Sequence, residues 1–167
     1  DLGLERRCVG LMTAVPLEHL VCAREENGNL WVEGFCTVGL SNAVRAGEPP
    51  LKGSEASSPG TINIVLVTNA RLPASAMVGA LQVATESKTA SVLAADIVSW
   101  TGTRGATGTG TDATVIASGH GPFCSYSGTH TMIGAMIGRV VGQAIAEGIA
   151  SWRQWRTRRD LESCSAT

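Results

Sequence analysis

Aromatic residues are scarce in this chain. Two phenylalanines (Phe35, Phe123), one tyrosine (Tyr126) and four tryptophans are spread over 167 residues. That is too few for the stacked platform on which single strands of nucleic acid are bound. Excess charge of one sign is missing too. Thirteen basic against 14 acidic residues leave a formal net charge of −1, with no general pull toward nucleic acid or an anionic membrane. Apolar runs such as 62–67 are far too short to span a bilayer. The sequence holds no secretory leader, and because it starts at Asp1 a leader or a whole N-terminal segment is expected to be missing ahead of it. No CxxC pair, HExxH or GxSxG is present, so neither the zinc-protease nor the common serine-hydrolase plan is supported. The cysteines (Cys8, Cys22, Cys36, Cys124, Cys164) are odd in number. Cys8, Cys22 and Cys36 fall in strand-like stretches, where a reduced thiol behaves as a small hydrophobe. A reducing cytoplasm is the expected compartment, and His19, His120 and His130 are too scattered to predict a metal site.

What is present is a globular composition, 44% hydrophobic and 16% charged, at a length that suits one domain. Residues 9–15 read as a short strand ended by Pro16. Residues 19–25 and 30–40 read as hairpin arms joined through Asn27-Gly28, a dipeptide that accepts positive φ. Residues 48–59, rich in Pro, Gly and Ser, read as a surface loop. The β-branched run 61–68 predicts a strand covered on both faces. Pro73 opens a helix running to about Ala95. Gly-Thr repeats over 99–112 form a loop, 113–118 another strand, and a long helix spans about 130–155, followed by a disordered tail at 156–167. The sum is a single α+β domain over 1–167, a mainly antiparallel sheet with two long helices packed on it.

In the long helix, Gly134, Gly138 and Gly142 recur every four residues. Each costs roughly 1 kcal/mol of helix stability relative to alanine. Close packing against another element, or a ligand lying on the stripe, would compensate. A glycine-striped apolar helix also favours a homo-oligomer.

Five segments together resemble the adenosylcobinamide amidohydrolases: Thr37-Val38-Gly39-Leu40-Ser41-Asn42-Ala43-Val44-Arg45-Ala46-Gly47; Gly60-Thr61-Ile62-Asn63-Ile64; Ala84-Thr85-Glu86-Ser87-Lys88-Thr89-Ala90; Gly108-Thr109-Gly110-Thr111-Asp112; and Tyr126-Ser127-Gly128-Thr129-His130-Thr131. Each alone is weak, but all five in order are specific. The resemblance implies cleavage of the amide between a corrinoid's propionyl side chain and its aminopropanol arm, giving adenosylcobyric acid for salvage. The cobalt belongs to the substrate, so no cofactor or resident metal is implied. The expected partner is a small corrinoid, with neither nucleic acid nor membrane. Members of that family carry further sequence ahead of the segment equivalent to Val9-Gly10-Leu11-Met12-Thr13. A non-catalytic corrinoid-binding or regulatory module, or a small amidohydrolase with another substrate, are therefore the alternatives.

Amide hydrolysis needs an activated nucleophile, a stabiliser for the oxyanion and an acid for the leaving amine. His130 is the first candidate. With Thr129 as N-cap it would lie in the first helical turn, where the helix end favours the uncharged ring. Packing at the helix start is the competing reading. Asp112, at a loop–strand junction, could polarise water or Thr111, orient His130, or simply shape its own loop. Lys88 falls on the wheel with Met77, Val78, Leu81 and Val92, as a proton donor or as a side chain snorkelling from an apolar face. Glu86 is a candidate base or a solvated carboxylate. Asn42, Arg45, Asn63, Thr109, Thr111, Ser127 and Thr129 are the candidate substrate-binding residues, with turn-forming or solvated roles as the alternative for Asn42 and Arg45. The arginines of 153–159 read as a solvated helix end.

Overall fold

The computed structural model of the chain describes residues 8–50 and 60–165. Its elements are β1 (Val21–Asn27), β2 (Leu30–Val38), β3 (Ala43–Val44), β4 (Ile62–Thr68), α1 (Ala74–Ala94), β5 (Gly108–Thr109), β6 (Ala113–Ser118) and α2 (Met132–Ser165). One sheet has the order β1-β2-β4-β6, and β3 pairs with β5 in a second, two-stranded one. β1, β2 and β4 pair antiparallel, whereas β6 runs parallel to β4 after the α1 crossover. The α+β class holds, with that one parallel pair inside a mainly antiparallel arrangement.

Alternation decides which face the helices cover. Val32, Gly34, Cys36 and Val38 of β2 stand beside Thr68, Leu66, Ile64 and Ile62 of β4, and together they make the floor of the core. α2 lies over β1 and β2, and α1 beside it over β6. Gly34 of β2 and Gly148 of α2 let helix and sheet come close: a Cβ on Gly34 would stand 2.8 Å from Val140 Cγ1, and one on Gly148 2.5 Å from Val38 Cγ2. The glycine stripe of α2 is explained by α1 at Gly138 and Gly142, and at Gly134 by the backbone of Ser127 and Gly128. Ser87 Oγ donates to the Gly138 carbonyl at 2.6 Å, and a Cβ on Gly142 would meet Ser87 Oγ at 3.2 Å. The stripe is thus filled within the chain and carries neither a ligand nor an argument for an oligomer.

Several boundaries differ from expectation. Residues 9–15 form no strand, because among the described residues no other segment pairs with them. The first hairpin arm begins at Val21, after a short 3-10 turn (Leu17–His19). The hairpin turn is Gly28-Asn29 with Gly28 at φ 59°, which puts glycine at the first central position, as a type II′ turn requires. Pro73 is the N-cap of α1, one residue before its first turn. The helix stops at Ala95 because Asp96 turns left-handed, φ 51°, a conformation Asp tolerates better than most residues. The loop expected over 48–59 lies outside the described residues at 51–59.

α2 starts two residues later than expected. Thr131, not Thr129, caps it: Thr131 Oγ1 accepts from Gly134 N at 3.0 Å. At the other end helix replaces the expected disordered tail, through Ser165. Beyond Gly148 no glycine or proline interrupts it, and arginine, leucine and glutamate are good helix formers. Residues Met132–Arg159 are long and apolar enough to cross a membrane, yet 56% of the most apolar stretch is buried inside the fold, as in a core helix. Arg139 on the polar stripe of α2 reaches Glu25 of β1 (2.9 Å, Nε to Oε2), and this guanidinium holds the Glu25 carboxyl below its ordinary range.

Candidate active site

A pocket of about 590 Å³ opens where β4 and β6 begin and β2 ends, within the range of small-ligand sites. Its walls are the 10–14 segment, Asn42, Gly60, Thr61, Asn63, Thr111 and Ala113. Among the described residues no charged side chain lines it. Its polar groups are two carboxamides and the hydroxyls of Thr13, Thr61 and Thr111. Their bonds set the shape. Asn63 Nδ2 donates to the Met12 carbonyl (2.8 Å), Thr61 Oγ1 to the Thr111 carbonyl (2.9 Å) and Thr111 Oγ1 to the Gly60 carbonyl (3.1 Å). Asn42 lies against Gly60, where a Cβ would stand 2.5 Å from its Oδ1. That oxygen is buried and receives no donor.

Next to the pocket, on the helix side of the sheet, Lys88 and Asp112 form an ion pair with Nζ–Oδ2 2.7 Å. Their side chains are only 13% and 17% exposed. α1 supplies Lys88; the turn between β5 and β6 supplies Asp112. Asp112 is held on all sides. Oδ1 accepts from Ile62 N (3.1 Å) and Thr109 Oγ1 (2.5 Å), and Oδ2 from Thr109 N (3.1 Å) as well as Lys88. A carboxylate so fully engaged has little capacity left as a free base. It fixes Lys88, ties the start of β4 to the start of β6, and closes the β5–β6 turn. Gly108 is part of the arrangement, since a Cβ there would be driven into Asp112 Oδ2 and would stand 2.6 Å from Lys88 Nζ. Lys88, by contrast, makes one hydrogen bond among the described residues. An ammonium has three N–H groups, so it retains donors for a carbonyl or oxyanion.

The remaining candidates are spread out. Thr109 is buried against Asp112. Glu86 is exposed and accepts from Gln82 (3.0 Å). Arg45 is exposed, its backbone N–H held by the Glu48 carboxylate at 2.9 Å. Val78 and Leu81, expected on the same buried face as Lys88, are exposed instead. The buried face of α1 is Ala76, Ala80, Val83, Ala84 and Val92, and Lys88 stands at its rim. Ser127 is buried and donates its hydroxyl to the Ala76 carbonyl. Thr129 and His130 are exposed. His130 precedes the cap of α2 and so sits outside its first turn. It follows Ser127 and Gly128, which pack on Ala76 and Gly79. Lys88 is nine residues beyond Gly79 along α1, about 13 Å at the helical rise per residue. His130 and the Lys88–Asp112 pair therefore occupy opposite ends of α1. Sequence reading missed Thr61 and the 10–14 segment as pocket walls. It named Lys88 and Asp112 separately, never as a pair. Burial pushes the Cys36 thiol up to about 12, which leaves no thiolate nucleophile there.

The model of one family, described as adenosylcobinamide amidohydrolase, matches residues 1–157. The chain belongs to that family. Among its relatives is an uncharacterized protein of Methanocaldococcus jannaschii, 33% identical over 81% of this chain and 60% of its own length. Others are adenosylcobinamide amidohydrolases of Methanosarcina mazei (33% identical, 69% of this chain, 48% of its own length) and Halobacterium salinarum (35%, 75% and 51%). The chain thus spans roughly half to three-fifths of the curated relatives it matches. No solved structure matches it. Of the five segments that carry the family resemblance, four meet at the pocket end: those holding Asn42, Thr61, Lys88 and Asp112. The fifth, around Ser127, packs at the far end of α1.

Proposed function

We propose that this chain hydrolyses the amide joining the propionyl side chain of adenosylcobinamide to its aminopropanol arm, releasing adenosylcobyric acid and aminopropanol. The observation that carries the reading is the Lys88–Asp112 pair beside a pocket whose described polar groups are carboxamides and hydroxyls, in a chain of an amidohydrolase family. A corrin ring with its peripheral amides is larger than this pocket. The scissile arm enters it while the ring stays outside. Asn42, with an acceptor that lacks a donor, and Asn63 bind amide groups of the substrate. Lys88 turns its spare N–H groups to the carbonyl oxygen, where negative charge develops as water adds to the carbon. Asp112 acts through Lys88 as a positioning residue. As the C–N bond breaks, Lys88, rather than the distant His130, gives a proton to the nitrogen and is reprotonated by the added water. Both protons of that water thus end on the amine, which leaves as an ammonium, and the acid is left as a carboxylate. The described cysteines are unpaired, which suits salvage in a reducing cytoplasm.

One observation favours a second reading. Among the described residues the pocket has no titratable side chain and Asp112 is saturated, as suits a module that binds corrinoid without cleaving it. Incubating purified protein with adenosylcobinamide and assaying aminopropanol and adenosylcobyric acid separates the two. Release of both products supports the enzyme. Bound corrinoid with no product overturns it in favour of the module.

A further inference from the structure

Both helices pack on one face of the four-stranded sheet. On the other face, directly paired residues point the same way, and the register arranges them in rows across the strands. Thr37, Asn63 and Ala113 form the row at the pocket end. Asn63 and Ala113 are walls of the pocket itself. The 10–14 segment lies over this row, with Asn63 Nδ2 donating to the Met12 carbonyl (2.8 Å) and Thr37 Oγ1 to Thr13 Oγ1 (3.4 Å). The next row is Cys22, Phe35, Val65 and Val115, and the third is Arg24, Glu33, Val67 and Ala117. Phe35, Val65, Val67 and Val115 are only half-buried and stand outside the hydrophobic core, while Cys22 and Ala117 are exposed. The pocket thus opens onto an apolar sheet face.

We propose that this face seats the corrin ring, with the macrocycle over Phe35, Val65 and Val115 and its aminopropanol arm reaching over Asn63 and Ala113 into the pocket. The identity of the occupant rests on the amidohydrolase reading. Continuity carries the placement. The arm is joined to the ring by a short propionyl chain, so the ring lies on whatever adjoins the pocket, and the bare face does. Size agrees: three strand spacings and four residues of rise make the face about 14 Å by 13 Å, room for one flat macrocycle. Chemistry agrees as well, since a corrin is apolar over its ring and carries amides around its edge. Phe35 and the valines lie between Thr37 and Asn63 on one side and the Arg24–Glu33 pair (3.2 Å) on the other. That is an apolar middle with hydrogen-bonding groups at both ends. Ala113 directly follows Asp112 in the chain. From ring to ion pair, the arm has only the end of the sheet to cross.

Adenosylcobyric acid, the ring without the arm, tests the seat apart from catalysis. Wild-type protein should bind it in equilibrium dialysis followed by corrin absorbance. Phe35→Ala and Val67→Glu should each weaken that binding about tenfold or more, through a lost apolar contact or a charge set beneath the ring. Leu81→Glu, at an exposed apolar position on α1, should leave it unchanged. Circular dichroism should be unchanged in all three. In wild type, bound adenosylcobyric acid should slow N-ethylmaleimide labelling of Cys22 in proportion to the fraction of protein occupied. Cys124, which packs against the core, should be labelled as before. This footprint needs no variant and decides alone if a variant fails to fold. Binding that neither face variant weakens, with Cys22 labelled at its free rate, overturns the seat and leaves hydrolysis to be judged by aminopropanol release. A wild type that binds no adenosylcobyric acid overturns the seat too. Shielding of Cys22 in a protein that releases no aminopropanol from adenosylcobinamide supports the seat and removes the amidohydrolase reading. If Cys22 is already unreactive without corrinoid, protein covers the face. The cover is a second copy if Val67→Glu turns a sedimenting dimer into a monomer, and residues 1–7 if their removal frees the thiol; either result overturns the seat.

Discussion

At the residue scale, Lys88 and Asp112 share one ion pair and are still not equivalent. Lys88 contributes a single hydrogen bond, whereas Asp112 also holds the backbone N–H groups of Ile62 and Thr109. Lys88→Met keeps most of the stem and leaves those anchors in place. Its stability loss should be about 2 kcal/mol, between the values for exposed and fully buried pairs. Turnover of adenosylcobinamide should fall about 10²-fold or more if Lys88 handles the proton and the oxyanion. Full turnover in a folded Lys88→Met protein would sink that role. Asp112→Ala strands Lys88 and two backbone donors at once, a loss of roughly 3–5 kcal/mol. Urea titration of the two variants checks the order, and equal midpoints would mean that Asp112 does not organise the turn. Both residues could be nominated from sequence, Lys88 from the helical wheel and Asp112 from its loop–strand junction. Their pairing could not, because it depends on how α1 lies over β6, a matter of packing between segments 24 residues apart.

At the scale of elements, local chemistry was readable where it acts locally. The β-branched run of β4 and the apolar run of β6 emerged as strands within a residue of their bounds. Residues 9–15 have strand-like composition, but a strand exists only where another edge accepts it, and among the described residues none does. The start of α2 turned on a choice between neighbouring threonines. Thr131 receives the Gly134 N–H, while Thr129 stands exposed ahead of it. Thr131→Ala should therefore lower stability by about 1 kcal/mol, the usual loss for a missing N-cap. Thr129→Ala should leave the melting temperature essentially unchanged. The reverse order in thermal melts would restore Thr129 as the cap and place His130 back in the first turn.

At the scale of the whole molecule, chain order and spatial order diverge around the site. Asn42, Thr61 and Thr111 come from three separate stretches and meet at one end of the sheet, where Ile62 is bound to Asp112 across fifty residues of chain. The hairpin of β1 and β2, by contrast, closes over the two residues Gly28-Asn29. These closures belong to different clocks. A hairpin forms in about 1–10 μs, whereas a contact between distant segments must first overcome the entropy of the long loop between them. The parallel β4–β6 pair is such a contact, and it brings Thr111 and Asp112 to the pocket end. The site is accordingly expected to assemble after the hairpin. In pulsed hydrogen exchange during refolding, amides of β1 and β2 should gain protection before those of Ile62 and Thr109, the two that Asp112 holds. If all of them become protected together, the sheet forms in one step. If the order is as expected, a chain caught partway through folding already has its hairpin and not yet any place to bind a substrate.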